Sequence, residues 1–366
     1  MSLQCHLEKR DLSYLSNFPL RIQVKGKQTK MAEKVTLAHG SGGKASHELI
    51  EKVFVASFGS KHLVAMEDSA VLKVGNETIA FSTDSFVVDP IFFPGGDIGS
   101  LAIHGTVNDL AMRGAKPLYI SVGMIIEEGL AFKDLQTIVH SMKEGADKAG
   151  VEIVAGDTKV VQSGKADKIF INTTGIGLLE QKLDISAKNG RPGDKIILSG
   201  TMADHGATIL CQREGLRIQG DFKSDSAPLN HMVAAMIKEG GKSIHVLRDP
   251  TRGGVGTTLN ELAGSSEVGI RIREAALPVR DDVKGACELL GLDPLYLANE
   301  GKLLAFIAPD AVESLLAVMK KMEYGGNSCI IGEVVAEHPG QVVLETIIGS
   351  ARLVDMLHGE PLPRIC

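Results

Sequence analysis

Between residues 64 and 180, four runs are rich in β-branched and apolar side chains and bounded by Gly, Asn or Asp. Ala70–Val74, Ile79–Val88, Leu118–Ile126 and Ile169–Leu178 are therefore predicted strands. Two helices fall between them. Phe132, Leu135, Ile138, Val139, Met142 and Ala146 repeat at helical spacing over 132–149. The other helix, Ile98–Arg113, carries the small residues Ala102, Gly105 and Ala111, which permit close packing. The order is not strictly βαβ, so this half reads as α+β with an open sheet. The turn cluster Asn189-Gly-Arg-Pro-Gly-Asp194 marks a boundary. Beyond it, strand signals at Lys195–Ser199, Ile244–Leu247 and Lys302–Ile307 mix with helical ones near Gly206–Glu214, Leu229–Lys238, Val255–Ala263, Asp282–Leu290 and Ala311–Met322, the pattern of a layered α/β domain. The last nine residues, His358–Cys366, hold Pro361 and Pro363 and predict an extended tail.

The expected divisions are a leader over 1–30, a first domain over 31–185, a second over 186–350 and a flexible tail over 351–366. A length of 366 residues agrees with two domains, each able to bury a core. A hydrophobic fraction of 44% excludes disorder for most of the chain. Lys plus Arg number 39 against 45 Asp plus Glu, a net charge of −6, which argues against nucleic acid or an anionic membrane as the main partner. No Trp, 4 Tyr and 11 Phe leave little for stacking bases. The first thirty residues carry six basic side chains but no apolar signal region, so they read as a basic arm or as sequence upstream of a native start at Met31. No apolar run is long enough to cross a bilayer, and a cytoplasmic protein is expected. The 5 cysteines contain no CxxC pair, which disfavours a disulfide framework or zinc cluster.

The chemistry-bearing positions are acidic residues at strand ends. Asp68 precedes the first strand, Asp84 interrupts an apolar one, Asn108-Asp109 interrupts a small-residue helix, and Asp157 follows the apolar Val151–Val154. A carboxylate among apolar residues is costly unless paired or bound to a cation. As a set they suggest Mg²⁺ shared with phosphates; singly, each also fits a turn or cap. His39-Gly-Ser-Gly-Gly-Lys44 is not a Walker loop, because Ala38 and Ala45 stand where Gly and Ser/Thr are needed. Gly42, Gly43 and Lys44 then belong either to a loop covering phosphates or to an ordinary helix start. Thr251, Arg252 and Gly253 form an anion site or an N-terminal cap made by Asp249 or Thr251. Glu300 sits at a domain seam, where it could serve as general base. Cys366, on the last residue, is a nucleophile or group acceptor if its pKa is lowered, as Arg364 would favour, or else has no role.

Asp84–Gly96, Asn108-Asp109, Gly156-Asp-Thr-Lys-Val-Val161, Asp204-His-Gly-Ala-Thr208, Thr251-Arg-Gly-Gly-Val255, Asn299-Glu-Gly-Lys302 and the ending Pro363-Arg-Ile-Cys366 closely resemble the HypE family of nickel–iron hydrogenase maturation factors. The likeness runs from about Val35 to Cys366 and leaves out the leader. It implies the two-domain PurM-like fold of the aminoimidazole ribonucleotide synthetase superfamily. A four-stranded N-terminal sheet would dimerise into a barrel-like core, followed by an α/β domain, with ATP at the cleft. It further implies a homodimer and two partners: HypF, which loads a carbamoyl group onto Cys366, and the HypC–HypD complex, which receives cyanide. Carried over, Asp68, Asp84, Asp109 and Asp157 hold Mg²⁺–ATP, with Asn108, Gly42, Gly43, Lys44, Thr251, Arg252 and Gly253 around nucleotide or tail. Lys159 stabilises phosphate or the carboxamide oxygen, and Glu300 takes an amide proton. The Asp204-His205 motif receives no role beyond a helix start. A selenophosphate synthetase or thiamine-phosphate-type kinase on the same fold stays open as an alternative, as does a non-enzymatic thiol carrier. The 39–44 loop lacks the reactive Cys of the selenophosphate enzymes, and such kinases need no terminal thiol.

Overall fold

The computed structural model describes residues 34–179, 183–216, 223–357 and 364–366; the leader over 1–30 and the Pro-bearing stretch 358–363 lie outside the described residues. The first half contains α1 (Gly43–Leu49), α2 (Ala56–Phe58), β1 (Ala70–Val74), β2 (Glu77–Phe86), the two-residue strands β3 (Phe92–Phe93) and β4 (Gly96–Asp97), α3 (Ile98–Met112), β5 (Lys116–Glu127), α4 (Phe132–Ala149), β6 (Glu152–Val161) and β7 (Ile169–Leu178). The second half contains β8 (Lys195–Leu198), α5 (Asp204–Arg213), α6 (Asn230–Gly240), β9 (Ile244–Arg248), α7 (Gly254–Ser266), β10 (Gly269–Arg273), α8 (Asp281–Leu290), β11 (Leu304–Ile307), α9 (Val312–Met319), β12 (Cys329–Val335), β13 (Val342–Glu345) and β14 (Ala351–Val354).

The first sheet has five strands in the order β1-β2-β7-β5-β6, not the four expected. The extra strand is the edge strand β6, which pairs parallel to β5. Its polar Gly156–Lys159 breaks the apolar pattern, and all its residues but Val161 are exposed, so no buried face imposes alternation. Helices α3 and α4 cover one face. Asp97 caps α3 by accepting from the N–H groups of Gly99 (2.7 Å) and Ser100 (3.0 Å). Nearly every α3 residue is buried, as befits a helix enclosed on all sides. Gly105 is required there: a Cβ would come within 2.8 Å of the Phe86 ring. The opposite face leaves Phe81, Tyr119 and Ile125 exposed, beside Ile153, Val154 and Val160 of β6.

The second sheet has seven strands in the order β14-β13-β10-β12-β8-β11-β9. Its strands β8, β9 and β11 are buried on both faces, and alternate residues feed separate cores. Ile196, Val246, Leu304 and Phe306 pack with α7, whereas Ile197, Leu247, Ala305 and Ile307 pack with α6 and α9. Only β8, β9 and β11 match predicted strands. The missed β10, β12 and β14 carry Gly or Arg among their apolar residues, and β13 is only four residues long. The last of them corrects the expected tail, since residues 351–354 are a strand in register with β13 (Val342 opposite Val354). No helix among the described residues is long and apolar enough to cross a membrane.

Candidate functional site

The carboxyl terminus is docked. Ile365 and Cys366 are 4% and 9% exposed and join the core made by α3, α4, α5 and α8. The backbone beyond β2 receives them: the Val87 N–H donates to the Cys366 carboxylate (2.9 Å), and the Asp89 N–H donates to the Arg364 carbonyl (3.4 Å). The Arg364 Nε donates to the Val87 carbonyl at 2.9 Å. Arg213, at the end of α5, donates to both the Asp89 carbonyl (2.7 Å) and the Arg364 carbonyl (2.9 Å). His205 bonds the Ile365 carbonyl through Nε2 and the Ser224 hydroxyl through Nδ1, each at 2.8 Å. Burial lowers the His205 pKa, so the ring is neutral. The Asp204-His205 motif thus has a place: its histidine holds the peptide that precedes Cys366.

The expectation of an activated thiol does not fit this docked position. Burial pushes the Cys366 thiol up to about 12, and Arg252 offsets only part of that rise. Arg364 is engaged elsewhere, with Asp167 and the Val87 carbonyl. Arg252 is the cation facing the thiol; Cys366 first, then Asp84, Glu300 and Asp109, hold it in its charged form.

Carboxylates from both halves converge nearby. Asp68, just before β1, Asp109, in the last turn of α3, and Asp249, just after β9, offer one oxygen each, all within 4.8 Å of one another. Arg248 pairs with Asp68 at 2.8 Å, and the Ser82 hydroxyl donates to Asp109 at 2.6 Å. Asp68 Oδ2 is buried with no partner among the described residues. Burial raises all three acids, Asp249 to about 6, and crowding by neighbouring carboxylates adds to it. Such a triad wants protons or a hard divalent cation, and an all-oxygen donor set suits Mg²⁺. Asp84 lies within electrostatic reach of Asp109 and Asp249. The sequence offers Asp249 as a helix cap, yet Gly253 is the residue at that cap and no side chain bonds there. The criterion that found Asp68, a carboxylate beside an apolar strand, would also have found Asp249 after Ile244–Leu247.

Glu300 is buried, and its Oε1 has no partner among the described residues. Burial, then Asp249, Asp84 and Asp225, raise its pKa well above the usual carboxylate range. Asp225, absent from the sequence reading, fixes the turn that carries it. It accepts from the N–H groups of Glu300 (3.1 Å) and Gly301 (3.3 Å) and from Lys302 Nζ (3.0 Å). Asn108 is a staple across the halves rather than a free ligand. Its amide donates to the carbonyls of Ala227 (3.0 Å) and Glu300 (3.4 Å), and its oxygen accepts from the Leu229 N–H (2.8 Å). Gly42 and Gly43 both have positive φ and pack on the site: a Cβ on Gly42 would meet Arg252 at 3.1 Å, and one on Gly43 would meet the Leu357 carbonyl at 2.6 Å. Lys44 follows in α1, its N–H donating to Leu357 (3.4 Å). The Thr251 N–H closes a turn on the Asp249 carbonyl (3.0 Å), and Gly253, at φ +81°, has no room for a Cβ beside Thr257.

Asp157 and Lys159 are not brought to this cluster. They pair with each other at 2.7 Å, exposed on β6. Asp84 stands in register with Thr173, Val122 and Gly156 across β7, β5 and β6. Three strand spacings, roughly 14 Å, therefore separate Asp84 from the strand position beside Asp157. Within one chain Asp157 cannot share an ion with Asp84, which corrects the expected ligand set.

The acid cluster has a measurable consequence. A carboxyl whose folded pKa is raised from 3.8 to about 6, as for Asp249, contributes stability below the lower value and loses it as pH rises through the upper one. A cation that replaces the lost protons should therefore stabilise more at about pH 7.5 than at about pH 5. Thermal unfolding with MgCl₂ and with EDTA at both pH values checks this; equal shifts would remove the triad as the ion's site.

Two family models match. The AIR synthase related protein N-terminal domain covers residues 66–179, and the C-terminal domain of the same description covers residues 191–345. Carbamoyl dehydratase HypE from Bradyrhizobium diazoefficiens is 50% identical over 332 residues, spanning 91% of this chain and 96% of that protein. A crystal structure of a HypE–HypF complex superposes with a TM-score of 0.80 at 50% identity, over 84% of this chain and 99% of the other. The hydrogenase maturation protein HypE in complex with ATP gives a TM-score of 0.77 at 51% identity, over 91% and 100%.

Proposed function

The chain belongs to the HypE family of carbamoyl dehydratases, built on two AIR synthase related domains, and on that premise we propose that it dehydrates a carboxamide carried on its own Cys366. The product is a thiocyanate, which supplies cyanide for the iron of nickel–iron hydrogenase. One observation carries this reading most of the way: the terminal cysteine is buried beside Arg252, Glu300 and Asp84, next to a carboxylate triad suited to a metal-bound nucleotide.

The balance is R–S–C(O)NH₂ + ATP → R–S–C≡N + ADP + phosphate. An amide oxygen leaves poorly; once phosphorylated it departs as phosphate while the nitrogen gives up its protons. Asp68, Asp109 and Asp249, with Asp84 beside them, would hold Mg²⁺. That ion would supply charge neutralisation for the transferring phosphoryl group. Gly42, Gly43, Lys44, Thr251 and Gly253 are assigned to nucleotide or tail, with Arg252 as the cation that acts on the sulfur. Glu300 takes the amide proton.

The raised thiol pKa suits this order of events. A thiol protonated in its docked position is a poor acceptor, so carbamoyl loading by HypF takes place with the tail undocked. The capped sulfur, like the protonated thiol, is neutral and accepts the buried position. Passage of cyanide to HypC–HypD completes the role. Lys159, assigned to phosphate or carboxamide oxygen, stands on the exposed β6 edge. The homodimer implied by the family would cover this edge and the open apolar face around Phe81, Tyr119 and Ile125. Sedimentation equilibrium reads that assembly directly.

The test of the reaction is the mass of the Cys366 peptide after incubation with HypF and carbamoyl phosphate, before and after ATP. The expected change on adding ATP is the loss of one water. A carbamoyl adduct that persists with ATP, or is lost whole, would refute the assignment and favour a thiol carrier.

A further inference from the structure

The docking of residues 364–366 is the capture of a chain end, which turns at Arg364 (φ +53°) rather than running as a strand. The Val87 and Asp89 N–H groups, just past β2, donate to Cys366 and to the Arg364 carbonyl. The bonds are made to groups that every peptide end carries: two carbonyls and a terminal carboxylate. The Val87 N–H donates to the carboxylate, neutral His205 holds the Ile365 carbonyl, and Arg213 ties the Arg364 carbonyl to the Asp89 carbonyl. Sequence preference comes from two side chains. Ile365 is buried among apolar residues, and Arg364 pairs with Asp167 and lies 5.9 Å from the centre of the Phe170 ring. Capture of a C-terminal carboxylate by backbone N–H groups is one mode by which proteins bind free peptides. Among the described residues, no contact of this kind depends on the tail belonging to the same chain.

We infer that the groove of Val87–Asp89, His205 and Arg213 is a receptor for peptide ends of sequence Arg-Ile-Cys with a free α-carboxylate, and that it accepts them in trans. The ligand class is a cysteine-terminated peptide, with its thiol free or carbamoylated. A second copy's tail and a synthetic peptide share that chemistry. The inference extends the proposed reaction, which would then act on a detached substrate with the same balance: peptide–S–C(O)NH₂ plus ATP gives peptide–S–C≡N, ADP and phosphate.

In its own chain the tethered tail competes at a high effective concentration, so the groove must be vacated first. The full-length Ile365→Glu, Cys366→Ala chain does so, because a carboxylate cannot occupy the buried Ile365 position. A full chain extended by two glycines past Cys366 does so by moving the α-carboxylate. The probe is fluorescein-labelled Glu-Pro-Leu-Pro-Arg-Ile-Cys, followed by anisotropy. Saturable binding is expected to both vacated chains, with apparent affinity for the unmodified chain at least about tenfold weaker. The C-terminal amide of the peptide, or its extension by one Gly, should cost about tenfold, because a charge-assisted bond is lost or displaced. Equal affinity for acid, amide and extended peptides overturns the inference. So does absence of binding to both vacated chains when circular dichroism shows them folded. Binding of the S-carbamoyl peptide with ATP-dependent loss of water confined to the tethered Cys366 would support the groove and overturn its extension to detached substrates. A tethered adduct that keeps its water refutes the dehydration reading, so the two fail separately.

Discussion

Cys366→Ala is expected to fold, dock its tail and form no thiocyanate at all. The bonds holding the chain end are backbone bonds to Val87 and His205, and Arg213 and Arg364 keep their partners. Truncation removes one buried sulfur. That costs about 1 kcal/mol, comparable to deleting a single methyl from a core, or a few degrees in melting temperature. Among the described residues the chemistry has no substitute. Cys211 and Cys287 are buried, and their thiol pKa values are raised, Cys287 to about 11, so neither is an alternative acceptor. With HypF, carbamoyl phosphate and ATP, the C-terminal peptide should show no adduct, while thermal unfolding stays near that of the parent. An ATP-dependent loss of water anywhere in the Ala variant would refute the assignment of the terminal thiol.

What the sequence disclosed and what it hid follow from the range of the forces involved. Strands β1 and β7 and helix α4 were legible to the residue because apolar period and boundary glycines act locally. β6 was missed because it is an edge strand whose polar residues break no buried face. Asp68, Asp84 and Asp109 were legible as costly charges in apolar surroundings, but the triad needed Asp249, which comes from the other half and which only tertiary contact supplies. Asp157 shares that local look, and sheet register alone separates it from the others. The tail is the clearest case. Two prolines and a terminal position read as a free arm, whereas its last two residues belong to the core. The receiving groups, Val87, His205 and Arg213, lie more than 150 positions upstream, beyond any pattern in the tail itself. The thiol pKa reversed direction for the same reason: Arg364 is near in sequence, yet burial and Arg252 set the environment.

Glu300→Gln should stop the reaction at the carbamoylated form while leaving the protein folded. The substitution keeps shape, and it replaces a buried acid whose Oε1 lacks a partner among the described residues. Because the Glu300 pKa is raised, its ionisation destabilises the fold as pH rises through that value. The neutral amide should therefore equal or exceed the parent in melting temperature at alkaline pH. The base function is lost outright, which for a positioned general base amounts to about 10²–10⁴-fold in rate. The same raised pKa makes the parent's activity pH-dependent with a definite sign: the base is protonated at low pH, so turnover rises with pH and that limb disappears in Glu300→Gln. Asp249 is the strongest of the charges that raise Glu300, so a cation at the triad lowers the Glu300 pKa and readies the base. The limb should accordingly move to lower pH as Mg²⁺ is raised, a shift that a merely structural glutamate would not show. Single-turnover assays on the pre-carbamoylated protein, scored by mass of the Cys366 peptide across pH and Mg²⁺, read all three effects. A Gln variant that loses water at the parental rate, or a parent whose pH limb ignores Mg²⁺, would take Glu300 out of proton transfer.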